Sequence, residues 1–193
     1  MKLQSGVINC VRIDFNFVSK EYLMTSSSQN AQQIYQKVEE IFINHPDKNK
    51  NIIVEVKGPR MTVKFNRPKR YNAFTIDMYL TLTQAVNSAQ TRDDIKFIVL
   101  MGEGGNFSSG NDLSNFTHPL IMALGDFSDV IKASSIVLHN LTIAFINSKK
   151  PIIALTEGKV IGFAFTKLAL FDKVFSVQNS QFVAPLVSSG QGP

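Results

Sequence analysis

A chain of 193 residues, 44% hydrophobic and 18% charged, can bury one sizeable core and is too short for two comfortable domains. Its formal charge of +5 favours an anionic partner, without choosing among nucleic acid, an acidic membrane and a phosphorylated small molecule. The single cysteine, Cys10, excludes an internal disulfide, and no apolar run reaches the roughly 18 residues of a membrane span.

Residues 1–20 carry three basic residues and one acid, Asp14, without the apolar centre and small-residue cleavage site of a secretory signal; an organellar presequence stays open. The stretch MTSSSQNAQQ (24–33) is polar and low in complexity, as a linker is. Ile34, Val38, Ile41 and Phe42 then recur at helical spacing, which predicts a short amphipathic helix over 31–45. Residues 1–50 therefore read as an N-terminal extension, partly disordered with one short helix, and the domain proper as 51–193.

From residue 51 the pattern changes. NIIVEVKG and RMTVKFNRP alternate around Gly58-Pro59 and predict a hairpin, with Met61, Val63 and Phe65 on its buried face. Residues 75–92 predict a helix capped by Thr75, burying Met78, Leu82, Ala85 and Ala89. A buried strand follows over 93–102. A long helix over 126–150 carries Phe127, Val130, Ser134, Val137, Leu141 and Phe145 on one stripe. Then come a strand over 151–158, an apolar helix over 162–172 and a strand over 173–178; SQFVAPLVSSGQGP is too short to complete an element. Strands alternating with helices place the chain in the α/β class.

Two stretches repeat one design. In FIVLMGEGGNFSSGNDL and in PIIALTEGKVIGFAF, a buried strand runs into a glycine-containing turn that opens a helix. Helix starts expose unpaired backbone N–H groups, and two of them facing one point would hold a developing oxyanion. Glycine also serves ordinary βα turns, so the pattern alone leaves both readings open. Between residues 57 and 74 lie Lys57, Arg60, Lys64, Arg67, Lys69 and Arg70 with no acid, which suits phosphates and equally suits a solvated face. The three histidines, His45, His118 and His139, lack metal-ligand spacing, and no nucleophile elbow or glycine-lysine phosphate loop occurs.

Taken together and in order, FNRPKRYNAF, NFSSGNDLSNF and KPIIALTEGKVIGFAFTKLALFDKVFSV resemble the enoyl-CoA hydratase/isomerase (crotonase) superfamily, most closely its peroxisomal-type Δ3,Δ2-enoyl-CoA isomerases. The resemblance covers 51–193 and implies an incomplete crotonase-like ββα superhelix core. It also implies a fatty enoyl-CoA thioester as substrate, with coenzyme A entering only as part of it and no separate cofactor or metal. It assigns the oxyanion donors to the backbone N–H groups of Ser109 and Phe163, with Phe163 narrowing the acyl pocket. It gives coenzyme contacts to Arg67, Lys69, Arg70, Asn72, Ala73, Ser108, Ser109, Gly110, Asn111, Asp112 and Leu113. Thr166 stands where hydratases of the family carry a carboxylate, which favours isomerase over hydratase. The isomerase's glutamate is expected just after Pro193, so the chain reads as an inactive, C-terminally truncated form, or as an acyl-CoA-binding pseudoenzyme. The family implies a peroxisomal setting, with the mitochondrion as alternative, and a homotrimer that this fragment need not form; nucleic acid is not a partner.

Overall fold

The structure is a computed structural model and describes residues 9–10, 29–44, 50–117 and 127–185. The presequence reading, His45, His118 and the SSGQGP ending lie outside the described residues.

The hairpin forms as its alternation requires. β2 (Ile52–Lys57; β1 follows below) pairs antiparallel with β3 (Arg60–Phe65), and Met61, Val63 and Phe65 are buried. β4 (Phe97–Gly102) lies parallel to β3, and β5 (Ile152–Thr156) parallel to β4. β7 (Lys173–Ser176) lies parallel to β5, and β1 (Asn9–Cys10) closes the far edge antiparallel to β7. The sheet order is β1-β7-β5-β4-β3-β2. Parallel neighbours need crossovers, and here helices supply them. α2 (Ile76–Gln90) links β3 to β4, and α3 (Phe127–Ile146) precedes β5. α2 buries Met78, Leu82, Ala85 and Ala89 as its spacing predicts; on α3, Val137, Leu141 and Phe145 are buried.

Three expectations change. α1 (Gln29–Ile43) packs against α3 and sinks Val38 and Phe42 into the common core. With β1 in the main sheet, part of the first fifty residues belongs to the folded unit. Its short apolar stripe has no core of its own, so it joins that of the domain. The apolar helix over 162–172 is only α4 (Phe163–Lys167), followed by a 3₁₀ turn at Leu168–Leu170. Finally, two short strands escaped the alternation rule: β6 (Lys159–Ile161) and β8 (Gln181–Val183) form a separate parallel pair. Three-residue strands are too short to show a period of two.

Candidate functional site

The site is built on the loop from Arg67 to Phe74. After the 3₁₀ turn Pro68–Arg70, Tyr71 and Asn72 both take positive φ, at 51° and 55°. Asparagine tolerates that region; tyrosine does so rarely, so the surroundings must hold it. They do. Asn72 is fully buried; its amide donates to the carbonyls of Glu103 (2.9 Å) and Asn106 (2.7 Å) and accepts the Arg67 N–H (2.8 Å). The Ser108 hydroxyl donates to the Asn72 carbonyl (2.8 Å) and accepts the Gly110 N–H (3.0 Å). Asn72 and Ser108 therefore weld the basic loop to the small-residue turn through buried, saturated hydrogen bonds.

Arg67 has the same duty. Its guanidinium donates to the Ala73 carbonyl (3.0 Å) and to the Asp112 carboxylate. Burial alone would raise the Asp112 carboxyl, but the N–H and hydroxyl of Ser114 and the Arg67 charge outweigh it and hold it below the ordinary carboxylate range. Arg67 is thus spent on Asp112 and is not a free phosphate grip, whereas Lys69 and Arg70 are exposed at the lip of the loop. Ala73 is buried beneath the loop, and Leu113 stands out at 79% exposure.

Of the two backbone N–H groups named from the sequence, one is engaged within the fold and the other is not. The Ser109 N–H is bonded to the Tyr71 carbonyl at 2.8 Å and has no second use. Two residues on, Phe74 forms a parallel bridge with Asn111: the Phe74 N–H bonds the Gly110 carbonyl (2.7 Å), and the Asp112 N–H bonds the Phe74 carbonyl (2.9 Å). A residue bridged in this way turns its own N–H to the other side. The Asn111 N–H has no hydrogen bond among the described residues. Phe163, the first residue of α4, likewise has no N–H bond among the described residues, because the first bond into that turn runs from Thr166 to the Gly162 carbonyl (3.0 Å). The two junctions touch: a methyl group built on Gly110 would lie 2.6 Å from the Ile161 carbonyl oxygen and 3.4 Å from the Phe163 nitrogen. The structure therefore brings Phe163 beside Gly110-Asn111, and commits Ser109 elsewhere. The first junction opens only a 3₁₀ turn, Leu113–Thr117.

Sequence reading missed two supports, Tyr79 and Asn115. The Asn111 side-chain carbonyl accepts the Tyr79 hydroxyl (3.1 Å) and the Asn115 amide (2.7 Å). Asn115 also donates to the Phe74 carbonyl (2.9 Å) and accepts the Ile76 N–H (3.0 Å), so it, and not the Thr75 hydroxyl, caps α2. Burial, aided by the Asp112 charge, raises Tyr79 far above an ordinary phenol, so it stays a neutral donor. A cap supplied from 39 residues away, on a separate element, leaves no linear signature.

The Phe163 ring turns inward. It meets Tyr79 edge-on at 5.0 Å and Phe74 at 5.9 Å, so it fills core and does not project into an acyl pocket. With Phe65, Phe107, Phe145 and Phe171 it leaves a void of about 10 Å³, too small for an acyl chain. Lys167 lines the same void and donates to the Thr142 hydroxyl (2.9 Å); burial pulls its ammonium below the usual lysine range. Thr166 is exposed, its hydroxyl donating to the Phe163 carbonyl (3.0 Å). Among the described residues no three His, Cys, Asp or Glu side chains cluster to hold a metal, and no helix is long and apolar enough to cross a membrane.

Residues 56–193 match the family described as enoyl-CoA hydratase/isomerase. The chain is 37% identical over 145 residues to rat enoyl-CoA delta isomerase 2, covering 75% of this chain and 36% of the relative. It is 34% identical over 178 residues to mouse peroxisomal enoyl-CoA delta isomerase 3, covering 92% of this chain and 53% of the relative. The chain thus spans about half, or less, of the relatives it matches. Among solved structures, an enoyl-CoA hydratase/isomerase family protein from Hyphomonas neptunium superposes with a TM-score of 0.65 at 26% identity, over 74% of this chain and 53% of that one.

Proposed function

Because the chain belongs to the enoyl-CoA hydratase/isomerase family, we propose that it binds an unsaturated fatty acyl-CoA and stabilises the thioester enolate formed when a double bond moves from position 3 to position 2. One observation carries the reading: two backbone N–H groups unengaged among the described residues, at Asn111 and Phe163, stand at junctions that abut at Gly110.

The chemistry needs such a pair. Taking a proton from C2 of the thioester puts negative charge on its carbonyl oxygen. Fixed donors stabilise that charge without reorganising, and each is worth about 3 kcal/mol. Asn111 is held by Tyr79 and Asn115 through its side chain, so its peptide is set before substrate arrives. Gly110 permits the close approach, because any side chain there would strike the Ile161 carbonyl. Beside this pair, exposed Lys69 and Arg70 would face the phosphates, and Leu113 would cover the adenine side. Coenzyme A arrives as part of the substrate, and no other cofactor enters the reading.

Isomerase is preferred to hydratase because Thr166, with its hydroxyl turned back to the Phe163 carbonyl, supplies no carboxylate for activating water. The same observation favours a second reading, an acyl-CoA binder that performs no proton transfer. The name of the mouse relative supports a peroxisomal setting, with the mitochondrion as alternative. The test replaces single peptide N–H groups by ester oxygens at positions 109, 111 and 163. Binding of an acyl-CoA analogue bearing an anionic enolate-like oxygen should fall about 100-fold for the esters at 111 and 163. A loss at 109 with none at 111 would return the donor to Ser109.

A further inference from the structure

We propose that Lys159, seated on the ring of Tyr71, is a phosphate-recognition residue of the coenzyme site, in addition to Lys69 and Arg70. The inference rests on the acyl-CoA reading above. Tyr71 and Lys159 come from separate elements, the basic loop and β6, yet both are anchored to consecutive residues of one turn. The Ser108 N–H bonds the Lys159 carbonyl (3.0 Å), and the Ser109 N–H bonds the Tyr71 carbonyl (2.8 Å). Their side chains meet beyond that strand, where the Lys159 ammonium stands 3.8 Å from the centre of the Tyr71 ring.

The arrangement has no evident structural need. Tyr71 is 49% exposed, so its ring supports no core. It sits at a positive φ that a bulky residue rarely adopts, and such strain persists where the surroundings enforce it. Lys159 enters no ion pair among the described residues, in contrast to Lys64, which is held by Glu55 and Glu103. A cation on an exposed ring is only weakly held and keeps its donors free for a ligand. Val160, its neighbour, is wholly buried, which turns Lys159 to the outer side of β6. The ammonium is therefore unneutralised on the Tyr71 ring, while the Lys159 backbone is bonded to Ser108, next to the Ser109–Asn111 turn. The ligand group it suits is a phosphate, either the pyrophosphate or the 3′-phosphate of coenzyme A.

The experiment is calorimetric titration of the 193-residue chain and its variants with coenzyme A, 3′-dephospho-coenzyme A and pantetheine, in about 20 mM and about 200 mM salt. Lys159→Met should weaken coenzyme A about tenfold at the lower salt, as loss of one charge-assisted contact does, and less at the higher. Lys159→Arg and Tyr71→Phe should stay within about twofold, since charge and ring persist. Pantetheine, lacking phosphate on either source, should bind Lys159→Met as it binds the parent. An undiminished loss with the dephospho ligand assigns Lys159 to the pyrophosphate; a vanished loss assigns it to the 3′-phosphate. Unchanged affinity of Lys159→Met for coenzyme A, or an equal loss for pantetheine, overturns the proposal. Failure of the parent chain to bind coenzyme A at all overturns the acyl-CoA reading, and this inference with it.

Discussion

The two glycine junctions look alike in sequence and expose their N–H groups by different means. At the first, the chain from Phe107 to Asp112 is pinned like a strand: Ser108 bridges Val160, Asn111 bridges Phe74, and Arg67 clasps Asp112. Its free donor, on Asn111, exists because bridging alternates. At the second, Gly162 at φ 56° swings the chain from β6 into α4, and the free donor on Phe163 exists because a helix start has no partner for it. The first donor is thus set by strand register and the second by the bend at Gly162, in junctions tied to each other where Ser108 bridges Val160. A donor pair assembled by two different devices can be broken at either one alone.

The largest expected effect comes from proton transfer. The two residues next to the donors offer no carboxylate free for it: Asp112, beside Asn111, is bound to Arg67, and Thr166, one turn on from Phe163, has none. The 193-residue chain should bind an enoyl-CoA yet isomerise it at least about 100-fold more slowly than a complete acid–base site would. Stopped assay of a 3-enoyl-CoA measures this, and brisk turnover would identify another base within the chain.

Next in size, the glycines separate the junctions. Gly110→Ala should cost about 3 kcal/mol or more, from positive φ together with a 2.6 Å collision with backbone. Gly162→Ala meets nothing within 4 Å and pays only for its backbone conformation (φ 56°, ψ −121°), about 1–3 kcal/mol. Urea denaturation compares them; equal losses would mean that crowding at Gly110 is relieved by movement of β6.

The clasp comes third. Asp112→Asn or Arg67→Met should each cost about 2 kcal/mol, because either leaves a half-buried partner uncompensated, and the double variant should cost less than their sum. Since the native Asp112 carboxyl lies below its unfolded value of about 4, the clasp's stability is complete above that value and drains as pH falls through the lowered native one. Acid titration of stability should lose that segment in Asp112→Asn.

The smallest effect lies behind the second junction. Lys167 is depressed by burial, so stability should rise with pH from that lowered value toward the ordinary lysine value near 10.4. Lys167→Met should flatten this rise and add up to about 1 kcal/mol at neutral pH, the lost Thr142 bond offsetting part of the gain. Thermal unfolding followed from neutral pH toward the ordinary lysine value reads both.

Local pattern determined much by itself. Alternation placed the β2–β3 hairpin and its buried residues Met61, Val63 and Phe65, because a strand's period of two is written in consecutive side chains. Helical spacing found α2 and α3, and the three motifs in register identified the family. Tertiary structure decided the rest. α1 belongs to the core because α3 offers its Val38 and Phe42 a surface, which no local feature records. Arg67 is a clasp because Asp112, forty-five residues on, folds against it. The choice between Ser109 and Asn111 as the free donor turns on which peptide faces Tyr71 and which faces away from Phe74. In a run as uniform as Ser-Ser-Gly-Asn, side chains hold no trace of that choice, since backbone hydrogen bonding is set by strand register between segments distant in the chain.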